Sequence, residues 1–147
     1  MRGKILFCST SDVYELEDID SYDVKLQITR YVNKGLLTNF IQATGLAPSE
    51  NLLNKTNYQW KKGIFTPEER KLMDIGKTHT WWDLYKPRFI EEMNERKDFQ
   101  ANYNRLKQLL NEGKRIIAVC YCKEYDKCHR SILAENLKAE GYHVELR

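Results

Sequence analysis

The chain has 147 residues, of which 41% are hydrophobic and 31% are charged, so it is long enough to bury a core without disulfide bonds. Its apolar runs are too short to span a membrane, and it carries no signal peptide, so we expect a cytoplasmic protein without a membrane partner. In that compartment the four cysteines, Cys8, Cys120, Cys122 and Cys128, should be reduced.

The net charge of +3 is unevenly distributed along the chain. Residues 11–23 contain six acidic residues and no basic one, whereas the remainder has 24 basic and 15 acidic residues. That remainder could attract phosphate groups, including those of a nucleic acid. Because no basic run or basic helix face occurs, the alternative is a solvated surface with scattered lysines.

The first half of the chain predicts two strands and several short helices. Residues 4–10 (KILFCST) and residues 24–32 have the apolar patterns of strands. The acidic segment between them is either a short helix or an ordered loop. Residues 36–41 have apolar side chains at helical spacing, Ser49 is placed to cap a further helix, and residues 55–63 have the composition of a loop.

The middle of the chain predicts longer helices. Thr66, Pro67 and Glu69 form the pattern of a capping box, and Gly76 marks the end of that helix. Thr80 with Asp83 begins the aromatic segment WWDLYKPRF, which Pro87 should bend. The next helix has apolar residues at a regular helical spacing and ends at Gly113; they are Phe99, Tyr103, Leu106 and Leu110.

The last 33 residues predict a strand, a loop, a helix and a final strand. Residues 116–122 form an unbroken apolar run, typical of a central strand in a parallel sheet. A helix follows from near Cys128 to Gly141, with apolar residues from Ile132 to Leu137 at helical spacing, and alternating residues at 142–147 predict a half-buried strand. We therefore expect one α/β domain over residues 1–147. Its Rossmann-like, three-layer open sheet should be mostly parallel, and its C-terminal βαβ unit should carry the site loop.

That βαβ unit places the loop at residues 122–130 at the carboxyl edge of the sheet, where open α/β sheets bind ligands. The loop carries Cys122 and the triplet Cys128, His129 and Arg130, called here the CHR triplet. The first strand ends in Ser9 and Thr10, which should reach the same crevice. These side chains are the candidate site.

Cys128 lies next to two potentially cationic residues at a predicted helix start, and both features favour a thiolate. We expect it to have the most acidic of the four thiols, whereas Cys8 and Cys120 should be buried and protonated. Cys128 is therefore the candidate nucleophile, with His129 as acid or base; the alternative is a thiol packed at a helix cap. Arg130 would oppose the helix dipole unless an anion lies between them. That anion is either a bound phosphate or carboxylate, or an internal partner such as Asp126 or Glu124.

We expect no cofactor. The cysteines with His129 could bind zinc, but closed zinc sites usually take ligand pairs from turns, whereas Cys120 and Cys122 are predicted on a strand. The sequence contains no Walker A loop, GxGxxG, HExxH or nucleophile elbow, and no cysteine-phosphatase loop. The aromatic residues near Trp82 could stack a base, but aromatic residues at helical spacing usually form core.

The C-terminal stretch IIAVCYCKEYDKCHRSILAENLKAEGYHVE resembles the signature of the domain of unknown function 488 family. Landmarks further upstream are also similar: the strand end at Ser9 and Thr10, Arg30 after the second strand, residues 46–49 and the spacing of Trp82, Tyr85 and Phe89. In this chain Lys123 replaces the acidic residue that often follows the strand cysteine. The resemblance implies the fold, and it singles out Cys122, the CHR triplet and Arg30. It implies no function.

Two functional hypotheses follow. In the first, the protein is an enzyme or enzyme-like domain that binds an anionic small molecule, phosphorylated or nucleotide-like, through Arg130, Arg30 and the loop. In the second, it is a non-catalytic module that binds a nucleic acid or a protein, and the CHR loop is structural.

Overall fold

The computed structural model describes residues 2–31 and 39–147, and the following elements belong to that part. The strands are β1 (Lys4–Ser9), β2 (Val24–Gln27), β3 (Ile41–Gln42), β4 (Arg115–Cys120) and β5 (His143–Leu146). The helices are α1 (Thr10–Val13), α2 (Glu50–Tyr58), α3 (Pro67–Asp74), α4 (Trp81–Glu95), α5 (Lys97–Asn111) and α6 (His129–Ala139). Single 3-10 turns occur at Ile19–Ser21, Thr44–Leu46, Trp60–Lys62 and Tyr125–Lys127.

The strands form one sheet in the order β3-β2-β4-β1-β5, and every strand pair in the described part of the chain is parallel. The predicted α/β fold is therefore confirmed. β4 lies between β2 and β1, as expected for a central strand, and its residues from Ile116 to Cys120 are buried. β5 pairs with β1, so the connection from β4 through α6 passes over β1.

The chain divides into two compact units, Met1–Ala47 with Arg96–Arg147, and Pro48–Glu95. The first contains the whole sheet with α1, α5 and α6, and it is called the sheet unit here. The second contains α2, α3 and α4, and it is called the helical unit. The expectation that residues 1–147 form a single domain stays a prediction.

Both faces of the sheet are buried within the sheet unit. One face packs against Val13 and Tyr22, which come from the acidic segment and its end; the strand residues there are Leu6, Cys8, Ile117 and Val119. Because side chains alternate along a strand, Ile5 and Phe7 face the opposite side, where they are also buried. The apolar stripe predicted for α5 is buried, and Gly113 follows it with a positive φ of 87°.

The helical unit confirms the predicted helix starts. The Ser49 side chain caps α2, and Thr66 and Glu69 form the capping box of α3. Glu69 also accepts a hydrogen bond from the buried indole of Trp60 over 3.1 Å. Asp83 accepts hydrogen bonds from the backbone N–H groups of His79 and Thr80 at the start of α4, which contains Pro87.

Three of the elements predicted within residues 24–63 differ from the structure. The predicted strand at residues 24–32 ends at Gln27, because Thr29 instead takes part in hydrogen bonds with the side chains of Gln27 and Gln42. The helix predicted over residues 36–41 is wrong at its end, since Ile41–Gln42 pairs with β2; its first residues lie outside the described part. The loop predicted at residues 55–63 is mostly helical, because α2 continues to Tyr58 and the buried Trp60 anchors a 3-10 turn.

Candidate functional site

Three strands of the sheet unit end together at its carboxyl edge. Ser9, the last residue of β1, aligns with Cys120, the last residue of β4. Beyond β2, the backbone N–H of Ile28 donates to the carbonyl of Val119 over 2.9 Å. The predicted crevice residues from these strands are therefore neighbours at one edge.

The CHR triplet lies at the amino end of α6, immediately after the turn at Tyr125–Lys127. Cys128 is the N-cap residue, although its side chain makes no capping hydrogen bond, and His129 and Arg130 are the first two helical residues. The side chains of all three are buried, with exposed fractions of 1%, 6% and 0%. The helix start agrees with the prediction, but the burial of the whole triplet could not be read from the sequence.

Cys120, Cys122 and Cys128 form a cluster of thiols beside the loop. The Sγ atoms of Cys120 and Cys128 lie 2.8 Å apart, and the half-buried Cys122 makes side-chain hydrogen bonds with both. Burial, followed by the contacts with Cys120 and Cys122, raises the pKa of Cys128 well above its ordinary value. The expectation that Cys128 has the most acidic thiol is therefore wrong, because desolvation outweighs the helix dipole.

The remaining buried thiols are also protonated, as expected. The contact with Cys122 is the main cause that raises the pKa of Cys120 to about 11. Burial raises the pKa of Cys8 to about 12. Neither thiol is therefore a thiolate at neutral pH in this arrangement.

His129 is held in one orientation by the backbone just after β2. Its Nε2 atom lies 2.7 Å from the carbonyl oxygen of Ile28, and its Nδ1 atom lies 3.7 Å from the Sγ atom of Cys128. Since a carbonyl oxygen can only accept, Nε2 carries the hydrogen. Burial lowers the pKa of His129, so the ring is neutral and its Nδ1 lone pair faces the thiol.

Arg130 binds the loop from inside. Its Nη1 atom donates to the carbonyl oxygen of Cys122 over 2.6 Å and to the Sγ atom of Cys120 over 3.1 Å, while Nη2 lies 3.5 Å from the carbonyl oxygen of Lys123. Its Nε atom is buried without a hydrogen-bond partner. Within residues 2–31 and 39–147, no carboxylate forms an ion pair with this guanidinium, so neither Asp126 nor Glu124 is its internal partner.

These contacts explain why the predicted strand at residues 116–122 ends early. β4 stops at Cys120, because the carbonyl groups of Cys122 and Lys123 turn towards Arg130. Cys122 therefore lies in a turn and not on a strand.

The other predicted site residues lie at the same edge with separate contacts. Ser9 is buried, and its hydroxyl accepts a hydrogen bond from the backbone N–H of Asp12, so it caps α1, which begins at the half-buried Thr10. Arg30 is half-buried beyond β2, and its charge acts on Asp98 at the start of α5. Hydrogen bonds from Arg96 are the main cause that lowers the pKa of Asp98.

A family model described as the active DUF488-N3 subclade matches residues 23–141, which is well over half of the chain. The chain belongs to the DUF488 family. The matched range includes the loop and the CHR triplet of this DUF488 protein, but the match does not single out the triplet as the family signature. Comparison with curated proteins and with solved structures found no match. None of the described helices of this DUF488 protein has both the length and the apolar character needed to cross a membrane.

Sequence reasoning missed a polar network beside the CHR loop of this DUF488 protein. Gln27 donates from Nε2 to the hydroxyl groups of Tyr121 and Thr29, over 2.8 and 3.1 Å, and the hydroxyl of Tyr121 donates to the carbonyl of Tyr31 over 2.9 Å. The Oε1 atom of Gln42 is buried there without a hydrogen-bond partner. The available signal was glutamine at the end of two short apolar strands, where a buried polar side chain needs partners.

The aromatic segment of α4 serves mainly as core in the helical unit. Tyr85 and Phe89 are buried, as the structural alternative predicts, whereas Trp82 is half-buried. Trp82 lines a cavity of about 620 Å³ with Lys77, Asp83, Lys86, Pro87 and Ile90. This groove combines an aromatic surface with two lysines.

Proposed function

We propose that this DUF488 protein is an enzyme or enzyme-like domain that binds a phosphorylated or nucleotide-like ligand at the carboxyl edge of its sheet. The ligand would lie over the CHR loop, between Thr10, which follows β1, and Arg30, which lies beyond β2. The observation that carries this proposal is the buried guanidinium of Arg130, for which the described part of the chain supplies no carboxylate.

A buried charge acts over a longer distance than an exposed one, because little water screens it. Arg130 donates hydrogen bonds to the carbonyl groups of Cys122 and Lys123, so its charge lies next to the backbone of the loop. The amino end of the 11-residue helix α6 adds the partial positive charge of its N–H groups. Both effects favour an anion at this edge.

The pKa shifts make Cys128 a poor nucleophile, and His129 remains the proposed acid or base. The raised pKa keeps the Cys128 thiol protonated, and the neutral His129 presents Nδ1 to this thiol as a hydrogen-bond acceptor. Cys122 is the half-buried thiol of the cluster and therefore has the best access to a ligand. Arg30, Ser9 and Thr10 remain the proposed ligand contacts.

Ligand-dependent thermal stability tests this proposal, because a ligand that binds only the folded state raises the melting temperature. Inorganic phosphate, sulfate, AMP and ATP would be titrated against wild type, Arg30→Met and Arg130→Met. Arg105→Met, an exposed position on α5, serves as the matched control. We expect a phosphate or nucleotide shift in wild type and Arg105→Met that is smaller in the other two variants. Equal shifts in all four proteins, or no shift at millimolar ligand, would disprove the anion site.

A second candidate function is nucleic-acid binding without catalysis. It is favoured by the groove of the helical unit, where the half-buried Trp82 could stack a base between Lys77 and Lys86. Fluorescence anisotropy with a single-stranded oligonucleotide separates the two functions. Affinity that falls steeply with salt, is lost in Trp82→Ala and is unchanged in Cys128→Ala would support this module and make the CHR loop structural.

A further inference from the structure

Two sulfur atoms and one imidazole nitrogen converge where β4 ends and α6 begins. The Sγ atoms of Cys120 and Cys128 and a ring nitrogen of His129 all lie within 4.8 Å of one another. Cys122 makes side-chain contacts with both of these thiols. Thiolate sulfur and imidazole nitrogen are the ligands that zinc prefers, and closed zinc sites need four of them. Cys120, Cys128 and His129 supply three ligands, and Cys122 is the candidate for the fourth.

The backbone just after β2 orients His129 as a potential metal ligand. Its Nε2–H group donates to the carbonyl of Ile28, which fixes the ring and leaves the Nδ1 lone pair on the side of Cys128. Metal-binding histidines usually have such a second hydrogen bond. The distance of 3.7 Å between Nδ1 and the Sγ atom of Cys128 agrees with about 3.6 Å for two ligands of one tetrahedral zinc ion.

The charge of the cluster also favours a metal. Three thiolates, a neutral imidazole and a divalent ion carry a net charge of −1, which the buried guanidinium of Arg130 compensates. Its Nη1 atom already donates to the Sγ atom of Cys120 over 3.1 Å. Three protonated thiols would instead leave Arg130 buried without a counter-charge from the described residues, which is unfavourable.

The sequence argued against zinc because Cys120 and Cys122 were both predicted on a strand, and the structure does not have Cys122 on that strand. Cys122 lies beyond the end of β4 in a turn held by Arg130, so it can approach a metal together with Cys120. The two sulfur atoms at 2.8 Å are closer than the roughly 3.8 Å expected around zinc, so they must separate by about 1 Å on binding. Small rotations of the cysteine side chains can produce this change.

We propose that Cys120, Cys122, Cys128 and His129 bind one zinc-class divalent ion as a closed, structural site. The ion would fasten the end of β4 to the start of α6 and, through the histidine, to β2. This inference goes beyond the proposed ligand: in the metal-bound protein Cys128 and His129 are metal ligands, whereas an anion would still bind on the outer side of the loop.

Metal content measured on the full chain tests the proposal. The protein would be produced with zinc in the medium, purified under reducing conditions without chelator, and analysed by native mass spectrometry and elemental analysis. We expect about one zinc per chain in wild type and in Cys8→Ser, whose thiol is buried outside the cluster. Cys128→Ser should lose the metal. Cys122→Ser, changed at the half-buried position, should stay folded and bind zinc at least about tenfold more weakly in competition with a chelator.

Cobalt(II) provides a second readout, because tetrahedral thiolate coordination has a characteristic visible spectrum. That spectrum should appear in wild type and Cys8→Ser and weaken in Cys122→Ser. Metal-free wild type, a mass about 2 Da lower from a Cys120–Cys128 disulfide, or zinc retained equally in the cluster variants would each overturn the proposal. Phosphate titration of the same samples distinguishes the two outcomes. A bound metal would exclude acid–base roles for Cys128 and His129, whereas metal-free protein with a phosphate shift would support the anion site alone.

Discussion

His129 donates a hydrogen bond from Nε2 to the carbonyl oxygen of Ile28 over 2.7 Å, and this bond joins residues 101 positions apart in the sequence. It connects the first turn of α6 to the segment after β2, across the end of β4. Ile28 is buried, so its carbonyl needs a hydrogen-bond donor. The His129 ring supplies that donor in place of a backbone N–H group from a neighbouring strand.

Replacing His129 with Phe should destabilise the protein by about 1–3 kcal/mol, because the buried carbonyl of Ile28 loses its donor. Urea denaturation in the presence of a chelator measures this cost without a contribution from metal. His143→Phe is the matched control, since the His143 side chain is 64% exposed on the edge strand β5. Equal stability of the two variants would show that the bond to Ile28 contributes nothing.

Replacing Arg130 with Met should loosen the loop between β4 and α6. The substitution removes donors to the carbonyl groups of Cys122 and Lys123, and we expect a loss of about 1.5–3 kcal/mol. Hydrogen exchange should show faster exchange of the backbone amides at residues 121–127 than in wild type or Arg105→Met. Unchanged exchange there would mean that Arg130 does not hold the loop.

Cys122 should be the first thiol to react with iodoacetamide in the reduced, chelator-treated protein. It is half-buried, whereas the exposed fractions of Cys8, Cys120 and Cys128 are 0%, 1% and 1%. The raised pKa values of the buried thiols slow them further. Peptide mapping by mass spectrometry after short labelling gives the order. Faster labelling of Cys128 would restore it as the candidate nucleophile.

Glu69 should make the helical unit less stable at acidic pH. Burial opposes its ionisation, but hydrogen bonds from the Thr66 backbone and the Trp60 indole, with the charge of Lys55, lower the pKa of Glu69 overall. A lowered pKa in the folded state means that the stabilisation is present above the unfolded value and is lost as the pH falls through the folded one.

The melting temperature of wild type should therefore exceed that of Glu69→Gln at pH 7, and the difference should shrink as the pH falls below about 4.3. Glu68→Gln, at the exposed neighbouring position, should differ little from wild type at either pH. A gap between wild type and Glu69→Gln that is constant with pH would show that the charge of Glu69 is not responsible.

The amino-acid sequence by itself determined the local elements of this DUF488 protein. The capping box at Thr66 and Glu69, the buried stripe of α5 and the strand–loop–helix–strand order at the C-terminus are encoded in residues close together along the chain. Capping and helical or strand periodicity act over a few residues, so their pattern is visible without the fold. The local sequence pattern also predicted that Cys128 lies at the start of α6.

Only the tertiary structure decided the arrangement and the chemical state of the candidate site. The end of β4 at Cys120 depends on Arg130, the orientation of His129 depends on Ile28, and the pKa of Cys128 depends on burial among the other thiols. Desolvation and hydrogen bonds between distant segments exist only after the strands have aligned. For that reason local spacing predicted an acidic thiol at Cys128, whereas packing raised its pKa.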